Sequence, residues 1–500
     1  MHGQPSPRGS RARLVAVPLV APPGPRERRL FAVGVVLLAT LGLALYARYP
    51  TYPAYDSLTA LSWGRDILDG RLPAFDAFRA PTQHPLLLAL GVVLEPLGSV
   101  AARVWVVICV LSLVALVAAM YRLGRAAAGV LGGLAAAALI ASRLNFALLT
   151  TLGFLDIPYC ALAAWAAVLE VERPRRGGPV WVLLALAGLL RPEAWMLAGL
   201  YALWIGLPLG WPGRARAAAA AAVAPAIWAA IDLAVTGNPL FSLTYTDASA
   251  AELQRERPLL GLPWLMVRLL AEILKWPVLG AAVIGLALAL LLRRSDLRVP
   301  AVLVPVTAAT YLVIATGGLP TVYRYLLVAA LGLAVFAAYA LAGWTTLPVG
   351  HGWRRGWAAA AGVLVILGAF WTVTHTNPGK VTAELRERVA IREDLVALME
   401  LPGVVRARAC GPVTVPTHKL VPELRFLLDA PEGDVRARSD PRVEPATGGV
   451  AVIIDRRYER RPALDVYEVP RDRELGVQDP PDGFELIGGN RHFAAYVRCA

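Results

Sequence analysis

Two acidic residues stand at the ends of hydrophobic runs, where a carboxylate can do chemistry. Asp56 follows the first run by a few residues, in Y-D-S-L, and Asp156 begins a later run, in L-D-I-P. A carboxylate at such a place can accept a proton from a substrate, or it can cap the helix that starts there. Both alternatives are open for both residues. If the two segments belong to one helical bundle, their carboxylates can share a cleft.

Basic and aromatic residues interrupt the hydrophobic pattern elsewhere. Arg191 and Glu193, in R-P-E-A-W, divide one apolar stretch, and Arg324 and Tyr325, in V-Y-R-Y, precede another. A salt-bridged turn between helices is the simplest account of the first pair, and an anchor at the membrane boundary is the simplest account of the second. His84 ends a long polar segment in P-T-Q-H-P. The segments between the hydrophobic runs therefore hold most of the unusual chemistry.

Hydrophobic helices must position these residues. Hydrophobic residues make up 57% of the 500-residue chain and charged residues only 17%, which is not the balance of a soluble protein of this size. The net charge of +13 does not indicate nucleic-acid binding, because Lys and Arg occur in short clusters between apolar runs. The composition predicts an integral, multi-pass membrane protein.

We count about eleven hydrophobic runs that could cross a bilayer. Basic clusters occupy every second connection between them, which satisfies the positive-inside rule if the N-terminus is cytoplasmic. An odd number of spans then places the C-terminal domain outside the cytoplasm. The predicted spans are 30–48, 101–121, 126–141, 156–170, 179–190, 194–209, 217–235, 264–292, 299–316, 325–344 and 357–373.

The chain divides into three predicted regions. Residues 1–29 form a disordered cytoplasmic tail, residues 30–375 form the transmembrane domain, and residues 376–500 form a small extracytoplasmic α/β domain. In the last region a helical pattern precedes short strand-like runs. The helical pattern covers 381–401, and the strand-like runs are 413–415, 450–454 and 494–497.

The first outer loop, 49–84, is longer than most connections in helical bundles, which indicates a function. Apart from Asp56, its acids Asp66, Asp69 and Asp76 are predicted to be solvated loop charges. The apolar run that follows, 85–98, is too short to cross the bilayer and is predicted to be a re-entrant or interfacial helix.

The four cysteines fall into two classes. Cys410 and Cys499 stand near the two ends of the C-terminal region, each beside a strand-like run. In an oxidising compartment they are expected to form a disulfide bond that closes the domain on itself. Cys109 and Cys160 fall in hydrophobic runs and are expected to be buried thiols.

The order of these motifs resembles the GT-C superfamily of polyprenyl-phosphate-dependent glycosyltransferases, in the branch of protein O-mannosyltransferases and the lipid A aminoarabinose transferase. The shared features are the acid after the first span, P-T-Q-H-P-L at the end of the outer loop, L-D-I-P, R-P-E and the late R-Y pair, within residues 30–373. Ser57 stands where the protein O-mannosyltransferases commonly have a second acid. This difference affects the expected acceptor more than the expected reaction.

The resemblance implies a hexosyl- or pentosyltransferase that moves a sugar from a polyprenyl-phosphate donor to a hydroxyl of an extracytoplasmic glycan, lipid or protein. Asp56 would be the general base that removes the proton of the acceptor hydroxyl. Arg324 and Tyr325, with His84 and Arg191 as helpers, would stabilise the departing phosphate. Membrane lipid is the further partner, and no nucleic acid is expected.

Asp156 has three candidate roles under this resemblance: to orient the acceptor, to hold Asp56 in position, or to contribute to a metal site. Glu193 would support Arg191. Two acids without a recognisable ligand cluster predict no defined metal site. A divalent cation nevertheless stays an alternative, because some GT-C enzymes require one.

A multi-pass transporter or lipid flippase is the main alternative function. Transport predicts ionisable groups near the middle of the spans and an internal two-fold repeat. The sequence has few such groups and no evident repeat. A third alternative is a catalytically inactive scaffold whose external domain binds a cell-wall polymer or a partner protein.

Overall fold

A computed structural model of the protein describes residues 23–245, 261–317, 321–375, 378–454 and 479–499. The chain forms a helical domain followed by a small domain with a five-stranded sheet. This confirms the predicted polytopic helical protein with a C-terminal α/β domain. Most of the predicted N-terminal tail lies outside the described residues, and the first helix begins at Pro25.

The helical domain runs from Pro25 to His375. In chain order its α-helices are α1 (Pro25–Arg48), α2 (Tyr55–Leu68), α3 (Pro85–Leu94), α4 (Ala101–Ala141), α5 (Leu144–Thr151), α6 (Asp156–Glu172), α7 (Gly178–Leu190), α8 (Glu193–Gly206), α9 (Trp211–Thr236), α10 (Leu262–Leu274), α11 (Trp276–Leu291), α12 (Arg298–Thr316), α13 (Leu327–Ala342) and α14 (Gly352–His375).

Six helical segments among the described residues are long and apolar enough to cross a membrane, or seven if one bent pair forms a single span. The bent pair is α10 and α11, which meet at 109°. Eleven spans therefore remain a prediction. The six segments are Pro25–Arg48, Pro85–Ala141, Trp211–Thr236, Ser295–Thr316, Tyr323–Thr346 and Gly352–His375.

Two of the predicted runs meet in a tight hairpin. Helix α4 is broken at Ala128 and Gly129, whose backbone angles are not helical. The two halves fold back on each other, because a Cβ atom at Gly124 would lie 2.3 Å from the carbonyl oxygen of Gly132. The runs predicted at 101–121 and 126–141 are thus the two arms of one hairpin.

The predicted single run 264–292 is broken. The break lies at Lys275, which has a positive φ of 71° between α10 and α11. Pro277 then stands in the first turn of α11, where a backbone N–H has no partner within the helix, so its absence in proline costs nothing. An unbroken apolar sequence therefore does not make one straight helix here.

Helix α13 lies at the centre of the helical domain. All of its residues except Leu341 are buried, and it packs against α4, α11 and α12. The 3₁₀ turn Tyr323–Leu326 leads directly into it. Arg324 and Tyr325 are therefore attached to the most deeply packed element of the bundle.

The C-terminal domain contains helices α15 (Pro378–Met399), α16 (Pro402–Ala407) and α17 (Val421–Leu428). Its sheet has the order β2-β1-β3-β5-β4, with β2, β1 and β3 parallel and β3, β5 and β4 antiparallel. The strands are β1 (Val413–Val415), β2 (Val435–Ala437), β3 (Gly449–Ile454), β4 (Glu485–Gly489) and β5 (Phe493–Arg498).

Two strands of the sheet, β2 and β4, were not predicted from the sequence. The strand-like runs at 413–415, 450–454 and 494–497 correspond to β1, β3 and β5. Cys410, which precedes β1, and Cys499, which follows β5, form a disulfide bond with their Cα atoms 5.3 Å apart. Cys109 and Cys160 are buried free thiols in the helical domain.

The C-terminal domain docks on α2 through two ion pairs, one buried and one with an exposed carboxylate. Arg425 of α17 contacts Asp66 at 2.9 Å, and both side chains are 3% exposed. Arg65, one residue earlier on α2, contacts Asp429 at 2.5 Å. The prediction that Asp66 is a solvated loop charge is therefore wrong, because the second domain covers it. Asp76 is exposed as predicted.

Candidate active site

Neither candidate acid caps its helix. Helix α2 has Ala54 at its N-cap and Asp56 as its second residue, and helix α6 has Leu155 at its N-cap and Asp156 as its first residue. No side-chain hydrogen bond caps the start of either of these two helices. Helix capping, the simplest alternative for both acids, therefore does not account for their positions.

Arg324 lies between the two acids. Its Nη1 atom is 3.3 Å from Oδ2 of Asp156 and 3.9 Å from Oδ2 of Asp56. On the other side, Asp156 forms an ion pair through Oδ1 with Arg191, whose Nη1 is 3.3 Å from Oε1 of Glu193. The five residues form a row of alternating charges, which we call the ionic row.

The ionic row has a buried end and an accessible end. The side chain of Asp156 has no exposed surface, and those of Arg191 and Glu193 are 8% and 5% exposed. The side chains of Asp56 and Arg324 are 28% and 27% exposed. A ligand can therefore reach Asp56 and Arg324, whereas Asp156 can act only through the arginines that cover it.

The segment before α6 fixes the start of α2. Ser57 Oγ and the indole nitrogen of Trp105 both donate hydrogen bonds to the carbonyl oxygen of Gly153, each at 2.7 Å. Gly153 has a φ of 62°, and a Cβ atom there would lie 3.1 Å from the Trp105 ring. The tight turn thus needs glycine. It brings Asp56 and Asp156 to the same side of the bundle.

Aromatic rings cover the two arginines. The guanidinium carbon of Arg191 is 5.7 Å from the centre of the Tyr325 ring, and that of Arg324 is 4.8 Å from the centre of the Phe154 ring. Such contacts stabilise a cation and hold its plane in place. Tyr325 was predicted as a site residue, whereas Phe154 was not, although it stands two residues before Asp156.

His84 lies within the electrostatic reach of the ionic row. Burial, and then the positive charges of Arg191 and Arg324, lower the pKa of His84 to about 3. The imidazole is therefore neutral at physiological pH. Its ring packs edge-on against Trp228, with the ring centres 5.7 Å apart. Its Nδ1 atom is buried and has no hydrogen-bond partner among the described residues.

Asp232, which was not predicted as a site residue, supports Gln83, the neighbour of His84. Asp232 lies in helix α9 and is 1% exposed. It accepts hydrogen bonds from Nε2 of Gln83 at 3.2 Å and from Oγ of Ser242 at 2.7 Å. The sequence feature that indicated this residue is an isolated acid inside an apolar run. A charge in such a place is energetically unfavourable unless it has partners.

A metal cluster is not evident in the part of the chain that the structure describes. No group of three or more His, Cys, Asp or Glu side chains in that part could hold a metal ion. The space between the two candidate acids is occupied by the guanidinium of Arg324.

Comparisons with known proteins give a match in structure. No protein-family model and no curated protein matches the sequence. The chain is similar to ArnT from Cupriavidus metallidurans bound to undecaprenyl phosphate, with a TM-score of 0.55 and 13% identity over 94% of this chain and 97% of that chain. It is similar to the same protein in the apo state, with a TM-score of 0.53 and 12% identity over the same shares. The protein therefore has the GT-C fold that its motifs predicted.

Proposed function

We propose that the protein is a membrane glycosyltransferase that moves a sugar from a polyprenyl-phosphate donor to a hydroxyl group of an extracytoplasmic acceptor. The observation that carries this proposal is the position of Arg324, which contacts Asp56 and Asp156 at the accessible end of the ionic row. The shared fold with an ArnT that binds undecaprenyl phosphate supports the donor class.

Asp56 is the general base. The acceptor oxygen forms a bond to the anomeric carbon of the sugar while the bond from that carbon to the phosphate oxygen breaks. The hydroxyl proton passes to the Asp56 carboxylate, and the polyprenyl phosphate leaves with the electron pair of the broken bond. A carboxylate suits this task when it is accessible, and Asp56 is partly exposed.

Arg324 binds the donor phosphate. Its contacts to the two carboxylates are 3.3 and 3.9 Å long, whereas a tight charge-assisted hydrogen bond measures about 2.8 Å. These loose contacts leave guanidinium donors for a phosphate, which gains charge as the sugar departs. Tyr325 and neutral His84 would help to shape this phosphate site.

Asp156 is a positioning residue in this proposal rather than a group that touches the acceptor. It is fully buried, and it holds Arg324 on one side and Arg191 on the other. Glu193 completes the charge balance of Arg191. A buried arginine needs such partners, because an unpaired buried charge is strongly destabilising.

The position of the ionic row favours transfer over transport. Asp56, Asp156 and Glu193 lie in the first turns of α2, α6 and α8. A transport pathway is expected to place its ionisable groups near the middle of the membrane. Charges at helix starts suit a reaction at the membrane surface.

The test uses the full chain in lipid nanodiscs with undecaprenyl-phosphate-linked hexoses and pentoses. We expect the protein to bind undecaprenyl phosphate and to release it from at least one of these donors when an acceptor is present. Absence of binding to undecaprenyl phosphate would overturn the proposal. Movement of the intact lipid-linked sugar across a liposome membrane without sugar transfer would favour a flippase instead.

A further inference from the structure

A cavity of about 360 Å³ lies between the outer loop and the C-terminal domain. Tyr55, Thr59 and Trp63 of α2 line one side of it, and Val435 and Ala437 of β2 line the other. Its volume is at the lower end of the range of small-molecule sites, about 300–1,000 Å³. It is large enough for a small ligand and is not part of the ionic row.

The cavity adjoins the proposed general base. Tyr55 and Asp56 are consecutive residues in the first turn of α2, so their side chains point about 100° apart. Tyr55 lines the cavity, and its hydroxyl donates a hydrogen bond to the carbonyl oxygen of Arg79 at 2.8 Å. Asp56 points toward Arg324 instead. The cavity and the ionic row therefore lie on neighbouring faces of the same helical turn.

The charges of the cavity balance. Arg442 contacts Asp440 at 3.0 Å, and Arg425 contacts Glu432 at 2.6 Å. Such paired charges give no net attraction for an anion, but their oxygens and nitrogens can bond to hydroxyl groups. The charged lining residues are three acids and three arginines: Asp76, Glu432, Asp440, Arg425, Arg436 and Arg442.

The remaining lining suits a ring with apolar faces. Tyr55, Trp63 and Phe78 contribute aromatic surface, and His418 packs edge-on against Tyr55 with the ring centres 5.5 Å apart. Apolar walls with a few convergent polar groups are typical of sites for small neutral ligands. A saccharide has C–H faces that can pack against the aromatic side chains and hydroxyl groups that can hydrogen-bond to the paired charges.

We propose that this cavity binds the acceptor and that the acceptor is an uncharged saccharide. The inference rests on the proposed transferase function. A sugar unit held between α2 and β2 would extend one hydroxyl group past the first turn of α2 toward Asp56. The C-terminal domain then supplies acceptor specificity, and the helical domain supplies the donor phosphate site.

The test measures ligand binding to the full chain in nanodiscs by saturation-transfer NMR. The probes are maltose, cellobiose and mannobiose, with a Ser/Thr-rich peptide in parallel. We expect at least one disaccharide to bind. Ala74→Trp should abolish that binding, because Ala74 is a half-buried loop residue that lines the cavity. The matched control is Leu72→Trp in the same loop, where the native side chain is 69% exposed.

Asp76→Asn provides a second variant that should not disturb folding, because Asp76 is exposed. Loss of one charge-assisted hydrogen bond should weaken disaccharide binding by about tenfold. Binding of undecaprenyl phosphate should stay unchanged in all three variants. Peptide binding without disaccharide binding, binding of no disaccharide, or disaccharide binding that Ala74→Trp leaves intact would each overturn the inference. Failure of the wild type to bind undecaprenyl phosphate would overturn the proposed function instead.

Discussion

Arg324 contacts Asp56 at 3.9 Å although the two residues belong to elements at opposite ends of the helical domain's sequence. Asp56 is held by the start of α2, and Arg324 by the turn that enters the central helix α13. The contact therefore joins the start of α2 to the turn that enters the most deeply packed helix of the bundle. It places the proposed base, Asp56, beside the residue that is proposed to bind the donor phosphate, Arg324.

Asp56→Asn should remove most sugar transfer and leave donor binding intact. Asparagine keeps the shape of the side chain but cannot take the acceptor proton, and general-base assistance is worth about 10² to 10⁴ in rate. The measurement is single-turnover transfer beside binding of undecaprenyl phosphate. Asp69→Asn, at the end of the same helix, should behave as wild type. Near wild-type turnover by Asp56→Asn would remove Asp56 from the mechanism.

Arg324→Ala should weaken both donor binding and turnover. Its proposed partner is a phosphate that is charged before the reaction and more charged as the bond breaks, so the loss affects the ground state and the transition state. Arg324→Lys should recover part of the binding, because lysine keeps the charge but not the planar donors. Arg216→Ala, at an exposed arginine of α9, is the control. Unchanged donor affinity in Arg324→Ala would contradict the assignment.

Asp156→Asn should destabilise the protein strongly. It leaves Arg191 and Arg324 without their common counter-charge, and breaking a buried ion pair from one side typically costs about 3–5 kcal/mol. Glu172→Gln is the matched control, because Glu172 pairs with Arg122 at a half-exposed position where such pairs contribute about 0–1 kcal/mol. Thermal unfolding in detergent compares the two. Equal melting temperatures would mean that Asp156 is not a structural counter-ion.

His84 should make the protein less stable in acid. Its pKa is about 3 in the folded protein and near 6.5 in an unfolded chain, so between these values the unfolded state binds the additional proton. The free energy of unfolding should therefore fall as pH decreases from 6.5 toward 3, by about 1.4 kcal/mol per pH unit from this residue. His84→Gln should reduce the drop in melting temperature between pH 7 and pH 4.5. His375→Gln, at an exposed histidine, should leave that drop unchanged.

Thiol labelling of intact cells tests the predicted orientation. A cysteine introduced as Glu444→Cys in the C-terminal domain should react with a membrane-impermeant reagent, whereas Ser295→Cys between α11 and α12 should not. Both positions are exposed. The native cysteines give little background, because Cys109 and Cys160 are buried and the other two are bonded. The opposite pattern would invert the topology.

The sequence predicted those parts of the fold in which local pattern and final environment agree. Strands β1, β3 and β5 are rich in valine, isoleucine and aromatic residues, and their positions were predicted. Strand β2 was missed because it has three residues with Arg436 in the middle, and β4 because it ends in two glycines, which strands disfavour. The break at Lys275 was missed because apolar residues continue on both sides, although Pro277 was its signal.

The site was predictable as a set of residues but not as a set of contacts. Motif order indicated that Asp56, Asp156 and Arg324 lie on one side of the bundle. The sequence could not indicate that Arg324 stands between the two acids, because that depends on how helix ends meet in space. Likewise, Asp66 looked solvated because its partner Arg425 is 359 residues away in the sequence.

The contact between α2 and α3 limits how this sequence can evolve. A Cβ atom at Gly64 would lie 2.3 Å from the carbonyl carbon of Gly91, and one at Gly91 would lie 2.6 Å from the carbonyl oxygen of Ala60. The two backbones touch, so a methyl group at either position must push α2 outward. Asp56 is carried on that same helix. Substitution of two glycines that line neither the ionic row nor the cavity would thus move the proposed base, and selection on catalysis would act at positions that bind no substrate.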